Sequence, residues 1–345
     1  MFKPNFHYTH NIVRNLTSIA EARSIILTAP LVPKWEVSLR RDALLRSAHA
    51  STSIEGNPLS LEEVTALAEG REVMARRKDR EEVLNYIEAL EGIPKLAEKK
   101  ILTASDVLDV HRIVTKDTLE RQEDEGSFRK RQVVVGNRIT GEVVSTPPPP
   151  QAVVKLMEEF LEWFNSPETN ESDPVIEAGI THYEIVRIHP FMDGNGRTAR
   201  VMASFVLYRR GFDVKRFFAL DNYYDHDRRS YYHALAGVDQ NTLDTTQWLE
   251  YFSEGVATSI KAVKDKVIGL SKGIKFLKDK GQRALTERQM KIVEKMVNKG
   301  EITNREVREM FGISNRAALD EILKLLNLKI IKQIGEGRST RYVLV

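Results

Sequence analysis

At 345 residues, with 41% hydrophobic and 29% charged residues, the chain has the make-up of an ordinary folded protein with room for two or three domains. It has no cysteine, which excludes disulfides and thiolate zinc sites. No apolar run reaches spanning length, and the first ten residues lack the basic-then-apolar order of a secretion signal, so a cytoplasmic protein without membrane contact is expected. The net charge of +3 conceals an asymmetry: Lys261 to Arg341 holds 20 Lys and Arg against 10 Asp and Glu, or +10, and the remainder carries −7.

In chain order, residues 10 to 68 read as helices broken at Pro30, Pro33 and Pro58. One of them, Trp35 to Ile54, places Leu39, Leu44, Leu45 and Ala48 at helical spacing and stops at Glu55-Gly56-Asn57-Pro58. Taken alone, Ser51 to Asn57 is a helix end with a polar turn. Asp79 to Lys99 and Ser105 to Asp117 are amphipathic, the second opened by Ser105 as a cap. Gln132 to Val144 is β-branched, with turn residues at Gly136-Asn137 and Gly141, and reads as a β-hairpin. Pro147 to Pro150 form a stiff link into a helix from Ala152 to Phe164, whose stripe of Val153, Leu156, Phe160, Leu161 and Phe164 belongs to the core.

The chemistry gathers between two periodic segments, Ile176 to Ile188 and Thr198 to Arg210. Pro190 ends the first helix just past His189, since proline removes a donor and restricts the residue before it. Gly194 and Gly196 let backbone N–H groups approach a phosphate closely as the second helix begins, and the positive end of that helix favours an anion. Arg197 and Arg200, three apart, can hold further phosphate oxygens. Asp193 beside such a nest suits a hard cation such as Mg²⁺. Base, carboxylate, glycine nest and two arginines together describe a nucleotide-transfer site.

Downstream, Asp227 to Gly237 contains Tyr231 and Tyr232. Thr246 to Lys280 reads as a lysine-rich helical spacer interrupted at Gly255, Gly269 and Gly273. Thr286 with Gln289 and Thr303 with Glu306 are capping boxes; Ser314 caps a third helix, Asn315 to Leu326. Ile330 to Ile334 and Arg341 to Leu344 read as strands about the turn Gly335 to Arg338. Three helices followed by a hairpin resemble a winged helix-turn-helix, with Asn315 and Arg316 leading the candidate recognition helix and Arg338 and Arg341 on the wing. DNA contact and protein contact both fit that unit.

The stretch from His189 to Arg200 resembles the Fic (Fido) family motif HPFx(D/E)GNGRxxR at every fixed position. The resemblance implies a mainly α fold: a Fic/Fido helical core with a β-hairpin flap, here followed by the winged helix. Expected boundaries are residues 1–100 for an N-terminal helical region, 101–256 for the catalytic domain, 257–282 for a linker and 283–345 for the winged helix. It further implies transfer of AMP from ATP to a Ser, Thr or Tyr hydroxyl of a target protein. His189 would be the general base and Asp193 the Mg²⁺ ligand. Gly194, Asn195 and Gly196 would stabilise phosphate charge, and Arg197 and Arg200 would take the β- and γ-phosphates. Ser51, Glu55 and Gly56 match the family's inhibitory pattern (S/T)xxxE(G/N), in which Glu55 would pair with Arg200 and block productive ATP docking. The hairpin would be a flap, with Val133, Val134, Val135 and Gly136 lining the nucleotide and target groove and Phe128 and Arg129 leading into it. Tyr232 in first place, and Tyr231 in second, would face the adenine. Asp239 stands where some relatives place an asparagine near the nucleotide. Removal of AMP from a modified protein, and a nucleotide-sensing DNA-binding regulator, are the alternative functions; a homodimer also stays open.

Overall fold

The computed structural model describes residues 2–31, 33–136, 143–279, 285–335, 337 and 340–344. Two compact units divide the chain: Met1–Glu21 with Ser38–Ile260, and Ala22–Val37 with Lys261–Val345. Among the described residues, no helix is long and apolar enough to cross a membrane.

The chain opens with α1 (His10–Thr28) and α2 (Pro33–Ile54), separated at Pro30 as the sequence suggests. Gly56, at φ 91°, turns the chain away after α2, a conformation glycine adopts without strain. Then come α3 (Leu61–Ala68), α4 (Arg77–Ala97) and α5 (Ala104–Thr115). The cap of α5 is Thr103, not Ser105: Thr103 and Asp106 form a reciprocal capping box, which outcompetes a lone serine two residues on. The expected hairpin is present as β1 (Val135–Gly136) and β2 (Val143–Ser145), antiparallel, with Val135 opposite Ser145. Its turn, including the expected turn residues Asn137 and Gly141, lies outside the described residues.

Next in the chain are α6 (Pro150–Phe164), α7 (Pro167–Glu171), α8 (Pro174–Ile188), α9 (Asn195–Arg209), α10 (Asp221–His226), α11 (Arg228–Ala236) and α12 (Thr246–Asp279). Helix α8 is the centre of the first unit, buried on nearly every face from Val175 to Ile185. A helix apolar over so much of its surface needs partners all round, and it has them: α9 packs along it and α6 beside it, while α4 and α5 pack on α9. Trp248 of α12 is fully buried and donates its indole N–H to the Gly179 carbonyl at 2.8 Å. Gly179 permits this close approach: a Cβ would sit 2.7 Å from Leu249 and 3.1 Å from Phe252, so either side chain would have to shift. Contrary to expectation, Gly255, Gly269 and Gly273 do not interrupt α12. Trp248, Leu249, Phe252, Val256, Ile260 and Val267 form a buried stripe along it, and that burial outweighs the roughly 1 kcal/mol that each glycine costs a helix.

The C-terminal segment contains α13 (Glu287–Lys299), β3 (Glu301–Ile302), α14 (Asn304–Phe311), α15 (Asn315–Asn327), β4 (Ile331–Ile334) and β5 (Arg341–Leu344). Thr286, Thr303 and Ser314 cap the three helices as expected. The sheet has order β3-β5-β4 and is antiparallel throughout. Strand β3 was not legible, being two residues long. Of the expected wing residues, Arg338 lies outside the described residues, and Arg341 pairs with Glu301 at 3.4 Å.

Candidate active site

His189 caps α8 in the left-handed conformation, φ 50° and ψ 59°, with its N–H bonded back to the Ile185 carbonyl. For a residue other than glycine this costs on the order of 1–3 kcal/mol, and the surroundings hold it in place. Arg129, 2% exposed, donates its Nε to the His189 carbonyl at 2.7 Å, and its backbone N–H donates to the Pro190 carbonyl at 2.8 Å. The same guanidinium donates to the carbonyls of Arg131 and Pro148. One side chain therefore ties the turn after α8 to both ends of the hairpin segment. The His189 ring sets Nδ1 3.2 Å from the Val186 carbonyl. A carbonyl only accepts, so Nδ1 carries the proton and Nε2 presents a lone pair. Burial, with the positive charge of Arg129, holds the imidazole below its ordinary pKa despite the opposing pull of Val186, Glu55 and Asp193. It is neutral at pH 7.

The loop from Phe191 to Gly194 is built to reverse the chain between α8 and α9. Asn195 closes it with both amide atoms: Oδ1 accepts from Phe191 N–H at 2.9 Å, and Nδ2 donates to the Phe191 carbonyl at 3.0 Å. Its side chain is thus engaged within the loop, and what Asn195 offers an anion is its backbone N–H. That N–H, with those of Gly196 and Arg197, heads a helix whose first turn has no carbonyl partners for them. Gly194, at φ 77°, has no room for a side chain: a Cβ would lie 2.6 Å from Thr115.

Beneath the loop sits His111 of α5, fully buried. Its Nδ1 accepts from Gly126 N–H at 2.9 Å, so Nε2 carries the proton donated to the Asp193 carbonyl at 2.9 Å. The ring stacks on Phe191 at 3.7 Å and 5°. Burial pushes its pKa down to about 4, which keeps the imidazole neutral and the tautomer fixed.

Both arginines of the motif are 2% exposed. Arg200 donates Nε to Ser51 Oγ at 2.7 Å, and Nη2 to the Ser51 carbonyl at 3.0 Å and to Glu55 Oε1 at 2.8 Å. Asp221 lies 3.6 Å from its Nε, and the Tyr231 hydroxyl 3.5 Å from Nη1. Glu55 and Arg200 are thus in contact. Gly196 makes the contact sterically feasible, since a Cβ there would sit 2.6 Å from Glu55 Oε1. Arg197 is held less fully. Its Nη1 is 3.4 Å from Glu82 Oε1 and its Nη2 3.8 Å from Asp193 Oδ1, and among the described residues Nε and Nη1 have no hydrogen-bond partner.

Residues 101–207, which include α8, the loop and most of α9, match the Fic/DOC family model. This stretch is a Fic/DOC domain. The protein adenylyltransferase Fic of Drosophila grimshawi is 31% identical over 268 residues, covering 71% of this chain and 52% of that protein. Its counterpart in Drosophila mojavensis is 30% identical over 251 residues, covering 68% and 47%. The chain therefore spans about half the length of the curated relatives it matches. A Fic family protein from Desulfovibrio desulfuricans G20 shares the fold at TM-score 0.67 and 23% identity, covering 100% of this chain and 98% of that one. Fic-1 of C. elegans matches at TM-score 0.61 and 25% identity, over 76% of this chain and 73% of that one.

Within the Fic domain and the helices around it, the structure brings together His189, Asp193, the start of α9, Arg197, Arg200 and Glu55. The two tyrosines separate. Tyr231 is buried, its hydroxyl 3.1 Å from His182 Nε2 as well as near Arg200, so it braces an arginine instead of facing the adenine. Tyr232 is 48% exposed, with its hydroxyl 3.4 Å from the Ile54 carbonyl. In the flap, Val133 is half-buried, Val134 is 60% exposed, and Val135 and Gly136 form β1. Sequence reasoning missed His111, His182, Glu82 and Asp221, whose partners at the site, Asp193, Tyr231, Arg197 and Arg200, lie 21 or more positions away in the chain.

Proposed function

We propose that this Fic protein is an adenylyltransferase that moves AMP from ATP to a hydroxyl of a target protein and is held inactive by Glu55. The observation that carries the reading is the unprotonated Nε2 of a neutral, fixed His189 next to a helix start flanked by two buried arginines, one of them already occupied by a carboxylate. The names of the Drosophila relatives support the same chemistry.

In the proposed reaction, the triphosphate lies at the N-terminus of α9, with Arg197 on the β-phosphate and Arg200 on the γ-phosphate. His189 Nε2 takes the proton of a Ser, Thr or Tyr hydroxyl laid along the flap. The oxygen bonds to the α-phosphorus as the bond to the β-phosphate oxygen breaks, and pyrophosphate leaves. Most of the catalysis is positioning and charge stabilisation. Mg²⁺ is the cation that suits this site. Asp193, with a side chain 32% exposed, is the carboxylate that would hold it, and the ion would neutralise phosphate charge. The described residues contain no group of three or more His, Asp or Glu able to hold a metal, so one carboxylate leaves most ligands to the triphosphate and water, which is ordinary for Mg²⁺.

Glu55 would inhibit by occupying Arg200 and placing like charge where the γ-phosphate should sit. The test is incubation of wild type, Glu55→Gly and Glu55→Gly/His189→Ala with Mg²⁺ and α-phosphate-labelled ATP. Label on protein should rise about tenfold or more in Glu55→Gly, the range expected from freeing a charged hydrogen-bond partner, and vanish in the double variant. No label in Glu55→Gly would overturn the transferase reading; release of AMP from a premodified target would replace it with the hydrolytic one, in which Glu55, close enough to act on the His189 charge, positions water.

DNA contact forms no part of this proposal. The exposed face of α15 carries Leu319 and Leu323 beside Asn315, Arg316, Asp320 and Lys324, a mixed face suited to protein rather than to phosphates. Duplex binding at physiological salt that is lost in Arg316→Ala would reverse that choice.

A further inference from the structure

Arg197 is buried and ion-paired only loosely, and its neighbours lead back to the inhibitory turn. Glu82 of α4, 8% exposed, faces it with Oε1 at 3.4 Å. The other carboxylate oxygen accepts from Asn57 Nδ2 at 3.1 Å, and the same amide donates to the Asp79 carbonyl at 2.8 Å. Asn57 is itself fixed: Oδ1 accepts from Leu59 N–H at 3.2 Å, and its backbone N–H donates to the Thr52 carbonyl at 3.0 Å. Lys78, one turn before Glu82, stands off at 4.0 Å. The segment Glu55-Gly56-Asn57 thus reaches one motif arginine directly through Glu55 and the other through Asn57 and Glu82.

We infer that Glu82 is a positioning residue for the triphosphate: it aims Arg197 at the β-phosphate, and Asn57 of the inhibitory turn sets where Glu82 stands. The physical need is clear. A buried guanidinium with unpartnered N–H groups requires an anion, and a carboxylate fixed at one oxygen by an amide holds Arg197 in one orientation while leaving Nε and part of the fork free for phosphate. Glu82 sits on a helix packed against α9, which fixes the point from which it reaches Arg197. The Asn57 bond gives the turn a second, indirect hold on nucleotide affinity.

The kinetic arm of the test rests on the transferase reading; the binding arm does not. In Glu55→Gly/His189→Ala protein, calorimetry with Mg²⁺ should show Glu82→Gln weakening ATP and ADP about tenfold, the size expected for a misplaced charge-assisted contact, with AMP changed less than about twofold. In active Glu55→Gly protein the same substitution should raise KM for ATP about tenfold and alter kcat by less than about threefold. Asn57→Ala should move ATP affinity in the same direction by about threefold, and Glu82→Gln/Asn57→Ala should be no worse than Glu82→Gln alone, as for residues acting in one chain of contacts. Glu82→Asp, which keeps the charge but withdraws it by one methylene, reads the same question should Glu82→Gln lose its fold. Unchanged or tighter ATP binding in Glu82→Gln would overturn the inference, as would an equal loss of AMP or multiplying effects of the two substitutions. Nucleotide binding that follows these expectations without any label transfer would overturn the transferase reading and leave Glu82 in its role.

Discussion

His189 carries the two properties that a general base needs, a fixed lone pair and a lowered pKa. His189→Ala should lower label transfer by about a hundredfold to ten-thousandfold while leaving ATP affinity within about twofold. Because only the neutral ring can take a proton, and burial keeps it neutral below its usual pKa of 6.5, the acid limb of kcat/KM should fall below pH 6.5; a limb at or above that value would remove His189 from the role. His111 predicts the pH dependence of stability. Folded, it binds a proton only near pH 4, whereas the unfolded chain binds one below its ordinary value of 6.5. Stability is therefore present above about 6.5 and lost as pH falls toward 4, by up to about 1.4 kcal/mol per unit. Urea midpoints at pH 7, 6 and 5 should show that fall, to which the buried His182 and His189 also contribute, and His111→Gln should lessen it. The tyrosines divide in the same way. Tyr232→Ala should weaken ATP binding several-fold, in line with the loss of about 1 kcal/mol of ring contact, whereas unchanged affinity would make Tyr232 an ordinary surface residue. The motif residues were legible because each is a chemically distinctive type within twelve positions. His111 and Glu82 were not, since each meets the motif some 80 or more positions away and leaves no local period.

At the scale of elements, the turn between α8 and α9 depends on a residue outside it. Arg129 meets the main chain at His189 and Pro190 from 60 positions upstream. Arg129→Lys keeps the charge but loses the fork. It should lower kcat about tenfold or more through misplacement of His189, with KM for ATP changed less than about threefold, as steady-state kinetics in the Glu55→Gly background would show; an unaltered kcat would limit Arg129 to the flap. Elements themselves were readable where side chains cap or close the backbone: Pro190, Gly56, Thr286 and Thr303 each act locally. Reading failed where tertiary burial overrode a local signal, as in α12, whose glycines looked like breaks until Trp248 and its stripe were seen to hold the helix together.

At the scale of the molecule, Ala22–Val37 is grouped with the C-terminal unit although it lies near the start of the chain. Ile26 and Trp35 within it are buried. Ending the chain at Ile260 would strip this segment of its partners, and burial of two such side chains is worth roughly 1.5–3 kcal/mol each. The truncated protein should therefore melt several degrees lower or aggregate; an unchanged Tm would show that the segment is dispensable. No periodicity announces such a division, because it depends on which faces meet.

The same division runs through α2. Its residues up to Val37 are grouped with the C-terminal unit, and those from Ser38 onward with the unit that contains Arg200. No loop intervenes in the 22 residues from Pro33 to Ile54, a rod of about 33 Å, and Glu55 follows its last residue. The carboxylate proposed as inhibitory is therefore carried at the end of an unbroken helix and not on a loop, so its reach to Arg200 is set by where that helix stops.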